Sequence, residues 1–231
     1  MVSAGTYINK LLKEYPKVHF HVDGVQGVLK KEINLSDIDS YSISAHKFHG
    51  IKGVGALYLK SRRTAHNITF GGGQENGLRS GTVNVAGAVS LAKALRLSYE
   101  RTPDVLKKHR EFKKLIINEL DSINHVVINS PLDDNYVDSI INISLPKIKG
   151  EAIVNSLNER GIMVSTTSAC SSKTFHLNEA LYARGLSKEN IEGSIRVSFS
   201  YKTKLEEIKT FVKVFKEEYN KKFKEVIESG I

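Results

Sequence analysis

Two hydrophobic periods succeed one another along this chain, and the places where they switch mark its elements. Ile8, Leu11, Leu12 and Tyr15 fall on one helical face, and the helix they predict ends at Pro16. Val18, Phe20 and Val22 then alternate with His19 and His21, which predicts a buried strand stopping at Asp23. Such a strand delivers the Asp23 carboxylate at its carboxy end, where ligands of open α/β sheets gather. Tyr41 to Ser44 and Gly55 to Leu59 read as two more short strands, with the polar, glycine-bearing stretch Ala45 to Gly53 between them. Lys47 is therefore expected on a loop after a strand.

Gly71-Gly72-Gly73 has no strand-to-helix context and reads as a flexible turn, not as a dinucleotide-binding fingerprint. Val85 to Tyr99 is rich in Ala and Leu and predicts a helix. Thr102-Pro103-Asp104 then offers an N-cap, a first-turn proline and an acidic first turn for a new helix over Val105 to Leu120. The domain boundary is expected near Arg101, giving domains 1–101 and 102–231. Beyond it the pattern predicts strands at Val126 to Ile128 and Ser139 to Leu145, a helix from Gly150 to Arg160, and a strand from Ile162 to Ser165. A loop with Cys170, a short helix from Asn178 to Arg184, a strand from Ser194 to Phe199 and a long last helix complete the order. In that helix Leu205, Ile208, Val212, Phe215 and Tyr219 step by 3 and 4, so one stripe packs inward and the lysines face water.

Composition changes this picture little. The net charge of +9 could suit an acidic partner, but many lysines lie in helices beside glutamates, so a solvated basic surface is the expectation, with no direct nucleic-acid binding. The single cysteine makes no internal disulfide, and neither a membrane span nor a signal-peptide pattern is visible. A cytoplasmic protein is expected.

Chemistry gathers in a few short segments. Asp23 ends a strand, Gln26 follows three residues on, and Ser44-Ala45-His46-Lys47 puts a hydroxyl, an imidazole and an amine at the next strand end. Pyridoxal phosphate needs a lysine for its Schiff base, an acid at the pyridine nitrogen and donors for its phosphate. Each residue also has a plain structural use: an aspartate at a strand end caps a turn, and a loop lysine is solvated. Cys170 stands among Thr167, Ser168, Ser171 and Ser172, a polar setting that suits a reachable thiol better than the apolar pocket of an inert one.

The combination resembles a known family. His21-Val22-Asp23-Gly24-Val25-Gln26, followed by Ser44-Ala45-His46-Lys47-Phe48-His49-Gly50-Ile51-Lys52-Gly53, resembles the cofactor region of class V aminotransferases, and within them the cysteine desulfurases. The segments Gly71 to Thr82, Thr167 to Ser172 and Gly193 to Ser198 continue the likeness in the family's order, so that it covers nearly the whole chain from about His19. The implied fold is α/β: a partial large domain of the pyridoxal-phosphate-dependent transferase type (aspartate aminotransferase-like, fold type I) plus a carboxy-terminal small α/β domain. By the resemblance Lys47 carries the cofactor and moves protons, Asp23 holds the pyridine nitrogen, Gln26 bonds the ring oxygen, and Ser44 and His46 hold the phosphate. Thr82 reaches the phosphate of the neighbouring subunit in a homodimer, Arg79 stands near the site, and Arg196 forks onto the substrate carboxylate. Cys170 takes sulfur from L-cysteine as a persulfide, leaving L-alanine, and hands it to a sulfur-acceptor protein. A transfer-RNA sulfurtransferase and an iron–sulfur scaffold are the two candidate acceptors. Ser-Ala-Cys-Ser-Ser-Lys looks closer to desulfurases serving transfer-RNA thiolation.

Family members carry a further amino-terminal part with a phosphate loop, a ring-stacking histidine and an asparagine. None has a match here, and Met1 to Tyr7 departs from the family pattern. A truncated chain with an unpaired sheet edge and low activity is expected. Another class V enzyme, an aminotransferase or a selenocysteine lyase, would share Asp23, Gln26 and Lys47 but would need no thiol at Cys170. A fragment without activity is the remaining alternative.

Overall fold

In the computed structural model, residues 8–31, 33–61, 65–166 and 178–228 are described, and they fall into two compact units, Met1–Asp104 and Val105–Ile231. The first unit holds a three-stranded sheet in the order β1-β2-β3, made of His21–Asp23 (β1), Ser40–Ser44 (β2) and Gly55–Leu59 (β3). β1 runs parallel to β2 with Asp23 opposite Ser42, whereas β2 and β3 are antiparallel with Ser44 opposite Gly55. β1 is shorter and more open than the sequence predicts: Val18 lies outside it and is exposed, and Asp23 is exposed at its end. Among the described residues it pairs with β2 alone, so it lies at an open edge of the sheet. The amino-terminal helix covers 8–12 rather than reaching Tyr15, and Ile8, Leu11 and Tyr15 are exposed.

Lys47 does not lie on a loop. Ala45–Phe48 forms one 3-10 turn, with Ala45 and Phe48 buried and His46 and Lys47 exposed between them. Three-residue spacing puts the first and fourth side chains on one face, so anchoring 45 and 48 turns 46 and 47 outward. The Ala45 N–H donates to the Val54 carbonyl at 3.0 Å, the Gly50 N–H to the Ala45 carbonyl at 2.8 Å, and the Ser98 hydroxyl to the Phe48 carbonyl at 3.0 Å.

The two helices predicted on either side of Thr102 are one, α1, Val85–Leu120, with Pro103 inside it. Proline removes the N–H that would meet the Tyr99 carbonyl, but Tyr99 is exposed and water can take its place. The Thr102 hydroxyl, expected to cap a new helix, donates back to the Ser98 carbonyl at 2.9 Å.

The second unit packs its helices on a four-stranded sheet ordered β4-β5-β7-β6, all pairs antiparallel: Val127–Ile128 (β4), Ile140–Ser144 (β5), Ser165–Thr166 (β6) and Ser194–Ser198 (β7). β6 lies later than the predicted Ile162 to Ser165, because its pairing is set by Arg196 and Ile195 of β7 and not by its own apolar residues. α2 (Gly150–Glu159), α3 (Glu179–Ala183), α4 (Lys188–Glu192) and α5 (Leu205–Glu228) complete the unit. Asn178 caps α3 through its side chain, and Ser187 does the same for α4, a helix not predicted from the sequence. Ile208, Val212, Phe215 and Tyr219 are buried as the stripe predicts, while Leu205 at the first position stays exposed. They join Phe112, Ile116, Leu120, Ile141, Ile143 and Ile195 in one continuous core. Gly193 is required there, since a Cβ would come within 2.3 Å of the Leu145 carbonyl oxygen. No helix among the described residues is long and apolar enough to cross a membrane.

Candidate active site

Parallel pairing of β1 and β2 puts their carboxy ends at one edge of the first sheet, and the chain places a chemically varied set of groups just beyond them. Asp23 closes β1, and its Oδ1 accepts the Val25 N–H at 2.9 Å, which starts the turn carrying Gln26. The Gly24 N–H donates to the Ser42 carbonyl at 2.9 Å and stitches this turn to β2. The turn also lies hard against Tyr41. A Cβ on Gly24 would fall 1.8 Å from Tyr41 Cζ, and the Tyr41 hydroxyl meets the Gly24 carbonyl at 3.4 Å. Burial first, and the Asp23 charge second, push the Tyr41 hydroxyl above its ordinary phenol value, so it stays neutral beside that carboxylate. We expect Gly24→Val to drive the ring out of its slot and displace Asp23, costing roughly 1–3 kcal/mol as an overpacked site. Denaturant titration of the two proteins measures this.

β2 ends in Ser44, whose hydroxyl lies 2.9 Å from His46 Nδ1, and Lys47 follows in the outward face of the 3-10 turn. On the β1 side, Gln26 Oε1 accepts the Lys30 ammonium at 3.1 Å. The Lys30 ammonium is held below its ordinary lysine value, first by burial and second by the charge of Lys47. Asp23, Gln26, Ser44, His46 and Lys47 thus share one end of the sheet. Thr82 stands apart on the irregular segment after the 3-10 helix Gln74–Gly77, exposed. That segment is tied down by Ser80 Oγ donating to the Gly72 carbonyl at 2.9 Å and by Gln74 Oε1 accepting the Gly81 N–H at 3.2 Å. Arg79 Nη1 donates to the Ser80 carbonyl at 2.9 Å within the same segment.

In the second unit Arg196 is half-buried on β7, and its Nη2 donates to Ser165 Oγ at 3.1 Å. Among the described residues its buried Nε has no hydrogen-bond partner. A buried cationic donor left unmatched costs free energy, so the fork has capacity for an anionic ligand such as a carboxylate. Cys170 and its neighbours Thr167 to Ser172 lie outside the described residues. Sequence reasoning missed Lys30, Tyr41 and Ser165. Only Lys30 left a local signal, its four-residue spacing from Gln26.

One carboxylate, one amide, one hydroxyl, one imidazole and one amine at a single sheet end match the demands of pyridoxal phosphate: an acid for the ring nitrogen, a donor for the ring oxygen, donors for phosphate and an amine for the aldehyde. The residues present therefore fit that group.

Comparison with known proteins agrees. The profile of the family described as "Aminotransferase class-V" matches residues 4–211. The chain is 37% identical to a protein named "NifS/IcsS protein homolog" from Lactobacillus delbrueckii subsp. bulgaricus, over 92% of this chain and 56% of that one. It is 38% identical to a protein named "Cysteine desulfurase IscS" from Clostridium botulinum, over 87% of this chain and 51% of that one. A solved structure titled "NIFS-LIKE PROTEIN" superposes with a TM-score of 0.79 at 32% identity, covering 90% of this chain and 54% of that one. The chain thus spans about half the length of the curated relatives it matches.

Proposed function

Because the chain belongs to the class V aminotransferase family, whose members depend on pyridoxal phosphate and share fold type I, we propose that it supplies the lysine and the sulfur-accepting thiol of a cysteine desulfurase. The observation that carries the reading is the convergence of Asp23 and Lys47 at one end of the β1–β2 pair. Support also comes from the desulfurase names of its relatives and from the Cys170 motif.

When bound, pyridoxal phosphate supplies an electron sink that weakens bonds to the carbons of an attached amino acid. The chain's residues do the rest. Asp23 holds the proton on the ring nitrogen, Gln26 donates to the ring oxygen, and Ser44 and His46 donate to phosphate. Lys47 holds the cofactor at its amine and then moves protons. Arg196, with donors to spare, takes the carboxylate of L-cysteine in its planar fork. The Cys170 thiolate attacks the substrate sulfur, and the carbon–sulfur bond breaks with its electron pair left on carbon. A proton completes L-alanine, while the substrate sulfur, oxidised by two electrons, stays on Cys170 as a persulfide. Attack requires the thiolate form. A serving role for an acceptor protein, a transfer-RNA sulfurtransferase or an iron–sulfur scaffold, follows from the same reading. So do a cytoplasmic homodimer and a cross-subunit phosphate contact from Thr82.

The test is covalent. With the site completed by the equivalent of the relatives' other half, borohydride reduction is expected to fix pyridoxal phosphate on Lys47, as mapped by peptide mass. A label on Lys30, Lys52 or Lys60 instead would show that the Schiff-base lysine is misassigned.

A further inference from the structure

Gln26 presents a problem of orientation that the cofactor reading by itself leaves open. A carboxamide has an acceptor end and a donor end of nearly equal shape, and only its neighbours decide which end points where. If Gln26 serves a ring oxygen it must offer Nε2, and an amide free to flip would spend part of its time offering the wrong atom. The structure contains the element that removes this freedom. Lys30 Nζ sits 3.1 Å from Gln26 Oε1, one helical turn further along the Gly24–Lys31 turn, whose backbone is closed by Val28 N–H to the Gly24 carbonyl at 2.9 Å and Lys31 N–H to the Gly27 carbonyl at 3.2 Å. An ammonium has three donors and no acceptor, so the atom facing it must be the carbonyl oxygen.

Resting on the cofactor reading above, we infer that Lys30 is a positioning residue: it pins the Oε1 end of Gln26 and thereby turns the Nε2 donor of Gln26 toward the cofactor. The alternative is a stray helical-spacing pair of the kind that adds only a few tenths of a kcal/mol to a surface. Such a pair would leave Gln26 free when cut and would have no bearing on a ligand.

The chain contains only two glutamines, Gln26 and Gln74, and Gln74 Oε1 is held by the Gly81 N–H, so one side-chain amide reports and the other serves as an internal control. The side-chain amides of the 231-residue protein are followed by NMR in the wild type, Lys30→Met, Lys30→Arg and Lys52→Met. In Lys30→Met the Gln26 amide is expected to shift and lose order while Gln74 stays put. Lys30→Arg restores it, and Lys52→Met changes nothing. Affinity for added pyridoxal phosphate is expected to fall about five- to tenfold in Lys30→Met and to recover in Lys30→Arg. A Gln26 amide indifferent to Lys30→Met overturns the inference, as does unchanged cofactor affinity when the wild type binds. Should the wild type form no adduct on Lys47 even with the site completed by the relatives' other half, while Gln26 still responds to Lys30→Met, the pinning stands and the cofactor reading fails.

Discussion

Amide hydrogen exchange on the 231-residue chain is expected to divide sharply, with residues of β1, β2 and β3 exchanging at least ~100-fold faster than those of β5, β7 and α5. The reason lies in what each unit buries. In the second, eighteen buried side chains form one continuous cluster that includes Ile141, Ile143, Ile195 and Phe215. The first buries only Ile38, Tyr41, Ala45 and Phe48 among its described large or apolar side chains. It also leaves Leu57 at 57%, Phe70 at 79% and Ile68 at 93% exposed. Both outer strands of its sheet lack a second neighbour among the described residues. At roughly 1.5–3 kcal/mol for each fully buried large aliphatic side chain, the difference in core outweighs any plausible set of surface contacts. A ~100-fold rate ratio needs only about 2.7 kcal/mol. The same imbalance predicts little desulfurase activity from this chain by itself, because a cofactor seat on a loosely held sheet loses the geometry it must keep. Uniform protection across both units, or vigorous release of alanine and sulfide from free cysteine, would overturn this expectation.

The second large effect separates Lys47 from Cys170. With the site completed, Lys47→Ala is expected to abolish the absorbance of the lysine-bound cofactor outright, since no other amine stands in the outward face of the Ala45–Phe48 turn. Cys170→Ser is expected to keep that absorbance and yet lose persulfide formation by more than about 100-fold, because a hydroxyl is far less nucleophilic toward sulfur than a thiolate at neutral pH. Persulfide is read by mass spectrometry of the Cys170 peptide, and cofactor by its visible spectrum. Loss of the spectrum in the serine variant would make Cys170 a structural residue and return the aminotransferase and selenocysteine lyase readings to the front.

Much of this molecule was legible in its residues. β2, β3, β7 and α2 lie where period and composition predict them, and the stripe Ile208, Val212, Phe215 and Tyr219 is buried as spaced. Each of these rests on neighbours within a few positions, where side-chain geometry and backbone hydrogen bonding act together. The family likeness, too, needed only the order of short motifs. Other features depended on distant parts of the chain. Pro103 reads locally as a helix start, yet α1 runs through it, because one missing N–H costs little where the orphaned carbonyl is open to water. β6 takes its register from Arg196 and Ile195, and β1 lies at an edge with β2 its one neighbour among the described residues. Lys47 faces outward because Ala45 and Phe48 find burial, which the polar run Ala45 to Gly53 does not announce. The sequence by itself named the candidate residues for the chemistry and most of the regular segments. Where those groups meet, and that Lys30 grips Gln26, depended on strand pairing and burial, which are properties of residues far apart in the chain and therefore of the tertiary structure alone.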